Sequence, residues 1–242
     1  MCKIVIMKER VDKIKMTNIY LYKIKKDHLR ENLVKYTRKA FELLPKYDNP
    51  QILDVGCGAG IPTIELAKLS GGHITGIDID RSSLERFRKK LRETELVDKI
   101  EIIEKSLFAL DFPDESFDII WAEGSISAIG FEEGLKQLRR FLKLNGFLVI
   151  HDDISDTKKK LKLISNYNYI LISRFKISHK EWWLKYYAPL EKLIKEFHNN
   201  FLNDYKLINV LNKDQGEIDR LKSNPTLFGS MFYTIRKEGS KQ

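Results

Sequence analysis

The chain has 242 residues, of which 43% are hydrophobic and 32% are charged, and its formal net charge at pH 7 is +9. This hydrophobic fraction can build a sizeable core, which excludes a globally disordered chain. Two cysteines, Cys2 and Cys57, are too few for a disulfide framework or a thiolate zinc cluster.

The N-terminal segment carries one short apolar patch, residues 4–7, and charged residues follow it at once. The patch is too short for the core of a signal peptide, and no apolar run approaches the ~18 residues that span a bilayer. We therefore expect a cytoplasmic protein without a membrane partner. Apolar residues at helical spacing then predict a helix over residues 28–44, which Pro45 ends, within an N-terminal helical extension, residues 1–45.

Short apolar segments alternate with helical patterns through the middle of the chain. The predicted strands are residues 51–55, 73–78, 100–104, 117–122 and 147–151. Helices are predicted between them: one has Pro62 in its first turn, one is capped by Asp80, and one covers residues 131–144. This alternation implies a parallel sheet with helices on both faces, in which ligands bind at the carboxyl ends of the strands.

The pattern becomes less regular after Asp153. A helix at 156–165, a strand at 169–176, an aromatic helical stretch at 178–199 and a last strand at 228–236 are predicted. We expect a single domain, residues 1–242, into which residues 178–224 are inserted as a helical cap or lid.

A glycine-rich turn joins the first strand to the next helix. Its glycines, Gly56, Gly58 and Gly60, let the backbone turn tightly and approach a ligand with no Cβ in the way. A dinucleotide fingerprint would place the third glycine one residue later. Asp54 precedes the turn, and its carboxylate would repel a pyrophosphate but attract a cationic amino group.

A second carboxylate, Asp78, closes the next strand. In that place it can accept hydrogen bonds from both hydroxyls of a ribose. Asp54 and Asp78 could each simply cap a helix or solvate a loop. Their positions at two strand ends beside one glycine turn favour a shared ligand.

The segments around these residues resemble the class I methyltransferases that use S-adenosylmethionine (SAM), specifically their small-molecule branch. ILDVGCGAGIPTIELAK is similar to the first motif of the family, and GIDID to the second. FPDESFDII and LKLNGFLVIHDD are similar to the approaches to the fourth and fifth strands. The resemblance covers residues 51–153 well. It implies an α/β fold: a Rossmann-like, mostly parallel sheet of seven strands with an antiparallel last strand.

The resemblance also implies a set of residues that bind the cofactor. Asp54, Gly56 and Gly58 would cradle the methionine end of SAM, Asp78 would hold the ribose, and Ile79 would pack on the adenine. Many family members bind the adenine amino group through an aspartate after the third strand, where this chain has Ser106. The remaining cofactor-binding residues expected from the resemblance are Cys57, Leu107 and Glu123.

Catalytic candidates lie at the ends of the fourth and fifth strands. Glu123 could orient an acceptor or take a proton, or it could be a loop carboxylate bonded to backbone amides. His151 has the right pKa range for a base, but a lone histidine is more often structural. No second histidine stands at ligand spacing, so no metal site is expected.

The helical stretch after residue 178 carries four large aromatic residues in two pairs four residues apart. They are candidates for an acceptor-binding lid: Trp182, Trp183, Tyr186 and Tyr187. Such rings suit a flat or cationic acceptor. The competing interpretation is that they only fill the space between the cap and the main domain.

Three functions are compatible with the sequence. The first is a methyltransferase that acts on a small molecule, with SAM as its cofactor. The second acts on RNA or protein, as the net charge of +9 suggests, although interleaved acidic residues favour an ordinary surface over a nucleic-acid partner. The third is a SAM-binding protein without catalysis. The sequence specifies neither the acceptor nor the oligomeric state.

Overall fold

Seven strands form one sheet in the computed structural model, which describes residues 17–239. The strands are β1 (Gln51–Val55), β2 (His73–Asp78), β3 (Ile100–Glu104), β4 (Phe117–Glu123), β5 (Leu142–Asp153), β6 (Tyr169–Ile177) and β7 (Ser230–Lys237). Their spatial order is β3-β2-β1-β4-β5-β7-β6, and β7 runs antiparallel to both of its neighbours. The predicted α/β fold with an antiparallel last strand is thereby confirmed.

Helices cover both faces of this sheet. Those in the described residues are α1 (Asn18–Arg30), α2 (Val34–Glu42), α3 (Ile61–Ser70), α4 (Arg81–Leu91), α5 (Phe131–Arg139), α6 (Thr157–Asn166), α7 (His179–Trp182), α8 (Ala188–Asn200) and α9 (Tyr205–Ser223). A π-helical turn, Trp183–Tyr187, joins α7 to α8. Every helix among residues 17–239 is too short or too polar to cross a lipid bilayer.

Three predicted boundaries differ from the structure. The helix predicted over residues 28–44 is two helices, and α1 begins at Asn18. Its start escaped detection because α1 buries Tyr22, whose hydroxyl donates a 2.7 Å hydrogen bond to Asp214, instead of an aliphatic stripe. Residues 1–16, which include the apolar patch at 4–7, lie outside the described part.

The other two differences concern strand starts. The helix predicted over 131–144 ends at Arg139, because Leu142 already pairs with Phe117 in the sheet. The strand then continues through Asn145, which takes a left-handed φ of 63°. Phe228 lies in a short 3-10 turn, so β7 begins only at Ser230.

Helix α1 extends along the region where the parallel strands end. On one side, Asp27 accepts a 2.6 Å hydrogen bond from Arg86 of α4. On the other side, Lys25 donates to Glu196 of α8 at 2.8 Å, and Tyr22 reaches α9. These contacts tie α1 to both the main domain and the helices of the predicted cap.

Candidate active site

The glycine turn after β1 is held against β2 by its own backbone. The amides of Gly56 and Cys57 both donate to the carbonyl of Ile77, at 2.8 and 3.0 Å. Gly56 has φ +71°, and a Cβ there would overlap the side chain of Ser125. Gly58 has φ +54° with open space in front of it, so the turn presents bare backbone on that side. The Cys57 side chain is buried, and its amide is already bonded within the sheet.

Asp54 is buried at the end of β1. Its carboxylate accepts a 2.6 Å hydrogen bond from the Thr63 hydroxyl in the first turn of α3. Burial raises the pKa of Asp54 to about 7, against the lowering effect of that hydrogen bond. The carboxylate therefore connects β1 to α3 beside the turn. That Asp54 also contacts a ligand stays a prediction.

Asp78 ends β2 and braces the glycine turn from the side. Its two carboxylate oxygens accept hydrogen bonds from the amides of Gly58 and Asp80, both at 2.8 Å. Each oxygen keeps a further lone pair for a hydroxyl donor. The next residue, Ile79, is 73% exposed, which leaves an apolar surface open beside the carboxylate.

The third strand ends in the segment predicted to bind adenine. The Ser106 hydroxyl accepts a 3.3 Å hydrogen bond from the amide of Phe108 and so caps a short 3-10 turn. Leu107 is buried, whereas Phe108 is 64% exposed. Phe108 therefore offers an open aromatic surface here, which none of the sequence motifs predicts.

Glu123 is buried at the end of β4. One carboxylate oxygen accepts hydrogen bonds from Thr37 and from the Trp121 indole, both at 3.0 Å. The other oxygen lies 3.7 Å from the guanidinium of Arg30 on α1. Burial raises the pKa of Glu123, while Arg30 and the two hydrogen bonds oppose that rise. The partners of the Glu123 carboxylate are therefore side chains. The alternative considered from the sequence, bonds to backbone amides, is not what the structure shows.

His151 lies two residues before the end of β5 and pairs with Glu123 of β4 in the sheet. Its ring stacks on Phe232 at a centroid distance of 4.4 Å and on Trp182 at 5.9 Å. Nε2 lies 2.7 Å from the Ser230 hydroxyl, and Nδ1 has no partner within the described residues. Burial, assisted by the charge of Arg30, lowers the pKa of His151 to about 3, so the imidazole is neutral near pH 7.

This neutral imidazole predicts a pH effect on stability. Below pH 6.5 the unfolded chain protonates His151 while the native chain does not, because the native pKa is about 3. Between pH 6.5 and 5 this difference removes about 2 kcal/mol of stability, at about 1.36 kcal/mol per pH unit. We expect His151→Phe, which keeps a flat ring in the stack, to abolish that loss in urea titrations at the two pH values.

The quantity compared is the change in the free energy of unfolding between the two pH values. Asp54 and Glu123 contribute to this change with a sign opposite to that of His151. Their contribution is the same in wild type and variant, so it cancels in the comparison. His198→Phe on the exposed face of α8 is the matched control and should retain the wild-type pH dependence. A wild-type pH dependence in His151→Phe as well would mean that His151 is protonated in the native state.

A cavity of about 300 Å³ opens beside Glu123, at the carboxyl ends of β4 and β5 and the first residue of β7. Its lining includes the following: Arg30, His151, Asp152, Trp182, Tyr187, Phe228 and Ser230. Arg30 and Ser230 escaped the sequence analysis because no spacing relates them to the motifs. They come from distant segments that only the tertiary fold brings together.

The four aromatic residues of the predicted lid separate in the structure. Trp182 and Tyr187 line this cavity, and Tyr186 packs against both of them. Trp183 lines a different groove on the outer surface, under Lys222 at 5.5 Å. The predicted pair Trp182 and Tyr186 is in contact, at a ring distance of 5.9 Å. The predicted pair Trp183 and Tyr187 is not, because the π-helical turn brings Tyr187 next to Trp182, five residues before it.

Comparison with known proteins adds an independent observation. A family model described as a methyltransferase domain matches residues 52–146, the segment that holds the glycine turn, Asp78 and Glu123. A sterol 24-C-methyltransferase of Gibberella zeae is 30% identical over 138 residues, which are 53% of this chain and 36% of that protein. A demethylmenaquinone methyltransferase of Listeria welshimeri is 28% identical over 169 residues, 68% of this chain and 70% of that protein.

A solved structure shares the fold over most of the chain. It is a SAM-dependent methyltransferase of Geobacter sulfurreducens in complex with S-adenosylhomocysteine, with a TM-score of 0.69 at 16% identity. The superposition covers 85% of this chain and 90% of that chain. The present chain spans less than half the length of several curated relatives that it matches.

Proposed function

We propose that this chain is a class I SAM-dependent methyltransferase, which transfers the methyl group of SAM to a small-molecule acceptor. The observation that carries the proposal is the joint placement of the glycine turn and Asp78. The turn offers open backbone in front of Gly58, and Asp78 is fixed at its side by two amides.

The residues at this edge fit the cofactor chemically. Asp78 would accept the ribose hydroxyls, and the exposed surface of Ile79 would contact the adenine. When bound, the cofactor supplies a methyl group on an activated sulfonium. The chain then has to align the acceptor and exclude water. Helix α1 and the aromatic side chains of Trp182 and Tyr187 would serve both tasks, since Arg30 of α1 lines the same cavity as the two rings.

Two features favour a small acceptor over RNA or protein. The cavity beside Glu123 holds about 300 Å³, the size of a small-molecule site. Helix α1 also bridges α4 and the cap helices and so covers the region of the strand ends. The relatives named for sterol and demethylmenaquinone methylation point to the same class of acceptor.

Two measurements test this function. Calorimetry should detect binding of SAM and S-adenosylhomocysteine but not of NAD, because Asp54 and the glycine spacing disfavour a pyrophosphate. Methyl-labelled SAM incubated with the chain and fractionated cell extract should label a small molecule, and nuclease or protease treatment should not remove that label. Label in nucleic acid or protein would contradict the small-molecule proposal. Fractionation and immunoblotting would test the expected cytoplasmic location.

The adenine contact predicts a separation of binding from stability. Ile79→Ala should weaken SAM binding by about 1 kcal/mol, roughly fivefold, since it removes apolar area that the adenine covers. Because Ile79 is 73% exposed, the free energy of unfolding should stay nearly unchanged. Leu202→Ala, at a residue 61% exposed elsewhere, should change neither quantity. Equal SAM affinity for wild type and Ile79→Ala would place the adenine elsewhere.

A further inference from the structure

A chain of hydrogen bonds runs behind His151. The Trp182 indole, which can only donate, gives its N–H to the Ser230 hydroxyl oxygen at 2.8 Å. The same oxygen lies 2.7 Å from Nε2 of His151. No other hydrogen-bond partner of this hydroxyl is found among residues 17–239, so its own proton can be donated only to Nε2.

This arrangement assigns the imidazole tautomer. If Ser230 donates to Nε2, the ring proton of a neutral His151 resides on Nδ1. The opposite tautomer would leave both the serine proton and the Nδ1 lone pair without partners. The tautomer with the proton on Nδ1 leaves only one buried group, the Nδ1–H, without a hydrogen bond. Leaving a buried donor without a partner costs free energy, so a ligand that accepts this hydrogen bond would be stabilised. At Nδ1, His151 is thus a hydrogen-bond donor and not a base.

Arg30 brings positive charge to the same cavity. Its guanidinium lies over the rings of Trp182 and Tyr186, at 5.3 and 5.9 Å. Its nearest carboxylate, Glu123, is 3.7 Å away, beyond hydrogen-bond distance. Within the described part of the chain the guanidinium makes no hydrogen bond, so its donors are free to serve a ligand.

The acidic residues around the cavity already have cationic partners, Glu123 in Arg30 itself and the other two in Lys160. Asp152 lies 2.7 Å from the ammonium of Lys160, and Asp153 lies 3.3 Å from it. Asp152, Asp153 and Glu123 each have a cationic partner, and Arg30 is the cation whose hydrogen-bond donors have no partner among residues 17–239, so a ligand meets these donors. A cationic acceptor would face this guanidinium and would have no lone pair for Nδ1–H.

We propose that Arg30 and the Nδ1–H of His151 bind an anionic oxygen, a carboxylate or phenolate, on a small aromatic methyl acceptor. The inference rests on the proposed function and names the acceptor class for that site. Trp182, Tyr187 and Phe228 supply the aromatic walls for the ring. Ser230 is a positioning residue, since it acts through His151.

The tautomer is testable without any ligand. Two-bond ¹H–¹⁵N correlation spectra of the full chain, with His151→Phe to identify the resonances, distinguish a protonated from an unprotonated ring nitrogen. A protonated Nδ1 is expected at pH 7. In Ser230→Ala the fixed preference should disappear. A protonated Nε2 in the wild-type chain overturns the proposal.

The ligand class is tested with three probes of one shape: benzoate, benzamide and benzylamine. Each is titrated into the chain saturated with S-adenosylhomocysteine. Benzoate should bind best, and Arg30→Gln should weaken it at least about tenfold, the effect of losing hydrogen bonds to a charged group. Ser230→Ala should weaken benzoate less. Lys25→Gln, which removes the same charge elsewhere on α1, should leave it unchanged.

The outcomes separate this proposal from the proposed function. Normal binding of S-adenosylhomocysteine with stronger binding of benzylamine than benzoate, or with no benzoate binding, overturns the acceptor class alone. Loss of S-adenosylhomocysteine affinity in Arg30→Gln without loss of benzoate affinity assigns Arg30 to the cofactor and also overturns it. Failure of the wild-type chain to bind S-adenosylhomocysteine at all contradicts the function itself.

Discussion

Asp78→Ala is expected to lower the affinity for SAM about 100-fold while the chain stays folded. The carboxylate would accept both ribose hydroxyls, and hydrogen bonds to a charged group contribute about 1.5 kcal/mol or more each, about 3 kcal/mol in total. Asp78 also fixes the amide of Gly58 at 2.8 Å, so its loss would loosen the turn that we propose faces the cofactor. Titration calorimetry with SAM and S-adenosylhomocysteine measures the effect.

Glu101→Ala is the matched control for this substitution. Glu101 is an exposed carboxylate at the start of the neighbouring strand β3, so the variant makes the same charge change away from the glycine turn. It should bind SAM as the wild type does. Equal affinities for Asp78→Ala and wild type, in a variant with an unchanged circular dichroism spectrum, would move the ribose contact to another residue.

Gly60→Ala is expected to destabilise the fold by about 3 kcal/mol. Gly60 has φ +77°, a conformation that costs a residue with a side chain about 1 kcal/mol or more. A Cβ there would also overlap the ring of Phe87, which is fully buried and cannot move without repacking the core. Overpacking of this kind costs about 1–3 kcal/mol more. Urea denaturation at constant pH measures the change.

Gly71→Ala separates the two contributions. Gly71 has a similar φ of +66° at the end of α3, but a Cβ there would meet nothing within 4 Å. This control should lose only about 1 kcal/mol, the conformational cost. If both alanine variants were destabilised equally, the contact with Phe87 would contribute nothing and Gly60 would be required only for its backbone conformation.

The local signals in the sequence predicted the residues that we propose for cofactor binding. A strand that runs into glycines with a carboxylate beside them, and a second carboxylate at the next strand end, depend on residues close together in the chain. The structure places Gly58 and Asp78 in direct contact, although 20 positions separate them. Such features are readable because strand, turn and helix each impose their own spacing on the sequence.

The residues that we propose for acceptor binding were harder to predict from the sequence. Glu123 and His151 were identified from their places at strand ends, but their chemistry was not, because burial and partners set it. Arg30 reaches Glu123 from α1, and Ser230 reaches His151 from β7. A histidine that could have been a base has a pKa lowered to about 3 by burial, and the Ser230 hydroxyl assigns its tautomer.

The sequence by itself therefore predicted the α/β fold and the edge of the sheet at which we propose that the cofactor binds. The tertiary structure alone decided which faces of the cap helices turn inward, since a π-helical turn moved Tyr187 next to Trp182 and left Trp183 outside. It also decided which charged groups lie around the cavity that we propose for the acceptor. Periodicity and motif spacing describe neighbours along the chain, whereas desolvation and hydrogen bonding depend on neighbours in space.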